Sequence, residues 1–83
     1  MSALKNKPTK AHIIAINQTV RFYGSQTALA DFLGIAQPNI AAWVRGAHTI
    51  PLWHAETLSR DKNLGLGILD LRPDIKKYEK YFK

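Results

Sequence analysis

Apolar residues recur at helical spacing along most of the chain, in segments that proline and glycine separate. The first segment covers residues 10–23, and its apolar positions are Ile13, Ile16, Val20 and Tyr23. Steps of three and four residues are typical of a helix with one buried side. Pro8 and Thr9 favour the start of a helix here, and Gly24 fits its C-cap in the left-handed region. The pattern therefore predicts a first helix over this segment.

Two shorter apolar segments follow, and a tight turn joins them. The first begins after Ser25, which suits an N-cap, and ends at Gly34. Its apolar side consists of Leu29, Phe32 and Leu33. The second runs from Gln37 to Arg45, because Pro38 is accepted only in the first turn of a helix and Gly46 closes it. Its apolar edge, which we expect in the core, consists of Ile40, Trp43 and Val44.

The remainder of the chain predicts less regular elements. Pro51 starts a fourth helix that runs to about Asp61. Its buried face consists of Leu52, Ala55 and Leu58. Residues 66–72 are mostly apolar and fit either a short helix or a strand, and Pro73 to Phe82 predicts a short final helix. The fold class is therefore all-α, with four to five short helices.

The length of 83 residues is enough for one small domain. A chain of this size buries roughly 60–65% of the surface that its unfolded form exposes. It can hold one core, but not also a deep substrate cleft. Apolar residues make up 46% and charged residues 22%, which is close to the globular average and argues against wholesale disorder.

The chain is basic, with 12 Lys and Arg against 6 Asp and Glu, for a net charge of +6. The charge is uneven, because residues 1–45 contain a single acidic residue, Asp31. Such a balance favours an anionic partner, with nucleic acid ahead of a membrane surface. A plain solvated basic surface is the alternative.

Several classes of protein are disfavoured by what the sequence lacks. It contains no cysteine, so it offers neither disulfides nor thiolate ligands, and a reducing compartment fits. No apolar stretch approaches the roughly 20 residues that span a bilayer. The first residues are basic without an apolar region after them, unlike a signal peptide. We therefore expect a cytoplasmic protein.

The sequence offers little to support catalysis or metal binding. The three histidines, His12, His48 and His54, lack the spacing of a metal site. Gly65 and Gly67 lack the further glycine and lysine of a phosphate loop, and are read as a turn. We expect no enzyme activity, no metal and no cofactor.

The segment from Gln26 to Arg45 carries the functional signal. Two short helices joined by a turn with glycine are typical of a helix-turn-helix. Gly34 accepts the left-handed backbone of a tight turn, and the small Ala30 lets the two helices cross closely. The outer face of the second helix is polar or small, lacks acidic residues and is slim enough for a DNA major groove. That face consists of Gln37, Pro38, Ala41, Ala42 and Arg45.

Residues 25–43, SQTALADFLGIAQPNIAAW, resemble the Cro/repressor-type helix-turn-helix of bacteriophages and prophages. The family pattern is roughly S/T-Q-x-x-L-A-x-x-L-G-(I/V)-x-Q-x-x-(V/I)-S-x-W. Within this family, the sequence is most similar to the Cro-like and YdaS-type prophage regulators. These regulators often continue with a Pro-initiated fourth helix and an LRPDI segment, here residues 71–75. The resemblance covers residues 16–60 and this later segment, and it implies a lambda-repressor-like helix-turn-helix domain.

The resemblance also implies a role for each matching position. Gln37 would contact a base edge, since a glutamine amide pairs bidentately with adenine, and Gln26 would brace it. Apolar base contacts, such as those to thymine methyl groups, would come from Pro38, Ala41 and Ala42. Phosphate contacts would come from Gln26, Asn39 and Arg45. Because Ala41 stands where serine is common and Pro38 lacks a side-chain donor, we expect DNA shape to share the discrimination.

We divide the chain into a basic arm (1–9), a helix-turn-helix core (10–62) and a C-terminal segment (63–83) that is a candidate dimerisation element. The preferred function is a phage or prophage Cro-like repressor that occupies operator DNA as a homodimer. The alternatives are an antitoxin that binds a toxin and regulates its own operon, and a protein-interaction adaptor that has lost DNA binding. None of these roles involves a membrane, and the resemblance implies the bacterial cytoplasm or nucleoid as the location.

Overall fold

The computed structural model describes residues 8–76, which form five helices. They are α1 (Lys10–Tyr23), α2 (Gln26–Leu33), α3 (Gln37–Val44), α4 (Leu52–Ser59) and α5 (Ile68–Leu71). This part of the chain contains no strand, so the all-α prediction is confirmed and α5 replaces the strand alternative at 66–72. Residues 73–76 form a 3₁₀ turn. The rest of the predicted final helix, and residues 1–7 of the arm, lie outside the described residues.

Side chains cap the first two helices at the predicted residues. The Thr9 hydroxyl accepts a hydrogen bond from the backbone N–H of His12, and the Nδ1 atom of His12 accepts one from the N–H of Thr9 at 3.0 Å. At α2, the Ser25 hydroxyl accepts from the N–H of Ala28 at 3.0 Å. Each cap satisfies backbone donors that a helix start leaves free, and so fixes where the helix begins.

Gly34 makes the sharp turn between α2 and α3. Its backbone is left-handed, with a φ of 73° and a ψ of 31°. The N–H of Gly34 bonds to the carbonyl of Asp31, and the N–H of Ile35 bonds to the carbonyl of Ala30 at 3.0 Å. This pair of bonds is the Schellman arrangement, which ends a helix and reverses the chain direction. The predicted helix-turn-helix geometry is therefore present.

One apolar core lies between the helices. α1 packs against α2, α3 and α5, while α4 packs against α5. The most completely buried apolar side chains are Leu29, Ala30, Ile40, Ala55, Leu58 and Leu71. Trp43 is also buried, as predicted, and Ala30 is only 2% exposed, as a close crossing of α2 on its neighbours requires.

A buried arginine fastens the C-terminal segment to the rest of the fold. The Arg72 guanidinium donates to both carboxylate oxygens of Asp74, at 2.8 and 2.7 Å, and to the carbonyl of Ile50 at 2.9 Å. Asp74 also accepts from Nε2 of His12 at 3.0 Å. Because His12 Nδ1 already accepts from a backbone N–H, the neutral ring carries its proton on Nε2. The network thus links the start of α1, the loop after α3 and the segment after α5.

Candidate nucleic-acid interface

The outer side of α3 forms a continuous stripe that the core holds in place. Ile40 is fully buried and Trp43 is 6% exposed, so these two side chains fix the rotation of the helix. The opposite side presents Gln37, Pro38 and Arg45 to solvent, with Ala41 half-buried between them. We call these four residues the reading stripe. α3 has no acidic residue, so the stripe contains nothing that would repel a phosphate backbone.

Two glutamine side chains from different helices meet at one end of the stripe. Nε2 of Gln37 donates a hydrogen bond to Oε1 of Gln26 at 2.6 Å. Gln26 is the first residue of α2, where the Ser25 cap fixes the helix start, and Gln37 is the first residue of α3. The predicted bracing of Gln37 by Gln26 is therefore present. It leaves Gln37 with one amide hydrogen and its carbonyl oxygen free for a ligand.

Arg45 lies at the other end of the stripe. It is exposed and occupies the C-cap position of α3. Within residues 8–76 no carboxylate lies at ion-pair distance from its guanidinium. The group is therefore free to take a phosphate, which is the ligand that a planar guanidinium suits best.

Two predicted contact residues are placed differently from the rest. The expectation that Ala42 lies on the outer face is wrong, because it is only 8% exposed. Ala42 lies four residues after Pro38, at the edge of the helix face that packs against the rest of the protein. Asn39 is exposed, but its side-chain amide donates to the carbonyl of Ala36 at 3.3 Å. This bond to the N-cap carbonyl holds the Asn39 side chain against the first turn of α3, where no side chain caps the free N–H groups.

The groups with shifted pKa values lie away from the reading stripe. Hydrogen bonding from Arg72 lowers the pKa of Asp74 to about 2. Burial, reinforced by the hydrogen bond to Asp61, raises the pKa of Tyr23 to about 12, and burial lowers the pKa of His54. Each shift has a packing cause. These groups therefore report how the fold is held together.

The network of His12, Arg72 and Asp74 was missed by the sequence interpretation. Its bond to the carbonyl of Ile50 holds the loop that follows α3. The LRPDI segment, in which an arginine and an aspartate flank a proline, could have revealed the pair of Arg72 and Asp74 but not its distant partners. None of the helices in the described range is long and apolar enough to cross a membrane.

Comparisons with known proteins point to one family. The family described as "Bacterial toxin YdaS" matches residues 16–80, which include the whole helix-turn-helix and the LRPDI segment. A protein of Escherichia coli (strain K12), named "Putative transcriptional regulator YdaS", is 28% identical over 61 residues, covering 74% of this chain and 62% of that protein. The chain thus spans less than two thirds of the length of this relative. No solved structure matches the chain.

Proposed function

The chain belongs to the family described as bacterial toxin YdaS, and we propose that it is a transcriptional regulator that binds operator DNA. The relative in Escherichia coli carries a regulator's name, which supports this class of function. The single observation that carries the proposal is the pair of Gln26 and Gln37, 2.6 Å apart at the start of an exposed helix. Such a pair presents a fixed amide for recognising a base edge.

In the proposed complex, α3 lies in the major groove with the reading stripe toward the bases. Gln37 uses its free amide hydrogen and carbonyl oxygen to pair with N7 and N6 of an adenine. Pro38 and Ala41 contact apolar groups such as thymine methyls, while Ala42 makes no base contact because it is buried. Gln26, Asn39 and Arg45 bind phosphates and set the register of α3.

The proposed regulator acts as a repressor and carries out no chemistry of its own. By occupying an operator it excludes the polymerase from an overlapping promoter. One helix-turn-helix makes few base contacts, so we propose that two copies bind half-sites about 34–36 Å apart, on the same side of the duplex. A two-fold symmetric operator follows from a two-fold symmetric protein.

Selection from a random duplex pool tests the proposal. The wild-type chain should enrich a short motif with a two-fold repeat at moderate salt. The double variant Gln37→Ala, Arg45→Ala should enrich no motif while keeping its helical circular dichroism spectrum. Lys62→Ala, which changes an exposed lysine outside the stripe, is the matched control and should enrich the wild-type motif. Absence of any motif with the wild-type chain would favour the adaptor role instead.

A second candidate function is a place in a toxin–antitoxin pair, because the family's description names a toxin. In that case a protein partner, rather than the operator alone, would explain effects on growth. The double variant separates the two functions when it is overproduced in bacteria. A growth effect through gene regulation should disappear with the stripe residues, whereas one through a protein partner should persist.

A further inference from the structure

The exposed side of α4 is an apolar surface that the fold leaves uncovered. Trp53 is 66% exposed, more than any other large apolar residue in the described part of the chain, and Leu52 is 37% exposed. Together with Ile68 of α5 and the stem of Glu56 they line an open groove of about 390 Å³. An exposed tryptophan at a groove is unusual on an isolated small protein and marks an interaction site.

The same side of α4 continues into a charged pair. Arg60 donates to Glu56 at 3.2 Å, and both side chains are more than half exposed. Positions 53, 56, 57 and 60 are three or four residues apart, so they share one face of the helix. The face is therefore apolar toward its N-terminal end and charged toward its C-terminal end. We call Leu52, Trp53, Glu56, Thr57 and Arg60 the α4 face.

This order of groups makes the α4 face complementary to itself. When two such helices pack antiparallel about an axis between residues 56 and 57, position 53 of one copy lies opposite position 60 of the other. We propose that the α4 face binds a second copy of this chain in this way. Each Arg60 guanidinium then covers the indole of the partner's Trp53, a cation–π contact, while keeping its bond to Glu56.

Charge favours a second copy over other occupants. Two copies with a net charge of +6 repel each other over most of their surfaces. The α4 face has one acidic and one basic side chain, so it is locally neutral and adds no repulsion of its own. A polyanion such as DNA gains nothing from a neutral apolar face. The α4 face also contains no residue of α2 or α3, so pairing leaves both reading stripes free.

The inference rests on the proposed function in one respect: the two paired copies are those that bind the two half-sites of an operator. Its test needs no DNA, so the two can fail separately. One helix face buries less surface than the roughly 800 Å² per partner of a standard interface. The pairing is therefore weak and depends on concentration. The C-terminal segment, which the sequence predicts as a dimerisation element, contributes Ile68 to the edge of this groove.

Sedimentation of the full chain across a range of concentrations tests the proposal. The wild-type chain should shift from monomer to dimer as concentration rises, and Trp53→Ala should remain a monomer. Ile14→Ala is the matched control, because Ile14 is 57% exposed and lines a different groove, on α1 and α5. It should dimerise like the wild type. A wild-type chain that stays monomeric, or a dimer that Ile14→Ala abolishes and Trp53→Ala does not, would overturn the proposal.

Cross-linking provides a second test that does not depend on a loss of function. The chain has no cysteine, so a single introduced cysteine reports one position. A disulfide needs Cβ atoms about 4 Å apart, which the antiparallel arrangement provides only near the axis. Thr57→Cys should therefore form a disulfide-linked dimer under mild oxidation, whereas Thr27→Cys on α2, equally exposed, should not. Equal cross-linking of the two variants would contradict the arrangement.

Discussion

Gln37 makes one hydrogen bond within the protein and keeps further hydrogen-bonding groups exposed. One amide hydrogen is used by Gln26, and the other hydrogen and the carbonyl oxygen face solvent. Because the contact with Gln26 restricts rotation of the amide, Gln37 loses less conformational freedom when it meets a base. The residue is therefore suited to discriminating one base pair, rather than to holding DNA of any sequence.

Replacing Gln37 should reduce sequence preference more than general affinity. We expect Gln37→Ala to cost about 1–3 kcal/mol on the selected operator and to relax preference at a single base pair. Competition binding on operators that vary one position at a time measures both effects. An equal loss on operator and random duplex would contradict a base-reading role for Gln37.

Arg45 should show the opposite behaviour. Its guanidinium has no acidic partner within the described range, so we assign it to a phosphate. Arg45→Ala should weaken binding to every duplex and lower the slope of log affinity against log salt by about 1. The slope comes from titrations at several salt concentrations, with Lys62→Ala as the control that leaves it unchanged. An unaltered slope in Arg45→Ala would remove this residue from the phosphate contacts.

Single residues also mark the limit of what the sequence could predict. Gln26, Gln37 and Arg45 are polar, so the partial exposure of Gln26 and the exposure of the other two followed from residue type and helical position. Ala42 did not behave in this way, since alanine is accepted equally on a surface and in a core. The burial of Ala42 depends on how closely the neighbouring backbone approaches α3. The helical positions of Ala41 and Ala42 in the sequence do not reveal that distance.

At the scale of elements, the turn at Gly34 decides how α3 stands relative to α2. The sequence predicted this turn correctly because two independent signals coincided, a glycine and the end of an apolar segment. Element α5 was harder to predict. It has only four residues, too few to show a helical period, and burial of Leu71 together with the Asp70 carboxylate bonded to the N–H of Gly67 stabilises it.

Replacing Gly34 with alanine should destabilise the fold through backbone strain alone. A Cβ atom at this position would meet no neighbouring atom, yet the φ of 73° is one that alanine rarely adopts. We expect Gly34→Ala to lower the free energy of unfolding by about 1–2 kcal/mol. Urea denaturation measures the change.

The matched control is Gly67→Ala. Gly67 has an ordinary φ of −92°, and an added Cβ would make only van der Waals contact with Asp70. This variant should be close to the wild type in stability. If Gly34→Ala proved no less stable than Gly67→Ala, the assignment of a left-handed backbone to Gly34 would be wrong.

At the scale of the whole molecule, the network of His12, Arg72 and Asp74 joins parts that are distant along the chain. His12 and Asp74 are 62 positions apart, and Arg72 and Ile50 are 22 apart. Helical periods and turn signals are local, so no such pattern could have paired these residues. The fold class and most helix bounds were predictable from local patterns, whereas this long-range network required the structure.

The network should make stability depend on pH in the acid range. Asp74 has a folded pKa of about 2, below its ordinary value of 3.8. Its contribution is therefore fully present above pH 4 and is lost as the pH falls toward 2. From the shift we expect on the order of 2 kcal/mol.

Unfolding by urea at a series of pH values from 7 to about 2 measures this contribution. Asp74→Asn should be less stable than the wild type at neutral pH, and the difference should shrink at low pH. Asp31→Asn, at an exposed carboxylate on α2, is the control and should keep the wild-type profile. A constant difference between Asp74→Asn and the wild type over this range would contradict the assignment.

The central claim is that the reading stripe of α3 binds DNA. Nuclear magnetic resonance of the ¹⁵N-labelled chain titrated with its selected operator tests it most directly. The side-chain amide signals of Gln26 and Gln37 should shift on the operator, and those of Gln37 should shift much less on a random duplex, whereas the guanidinium signal of Arg45 should shift on both. Unchanged signals along α3, with the main shifts elsewhere on the molecule, would contradict the account.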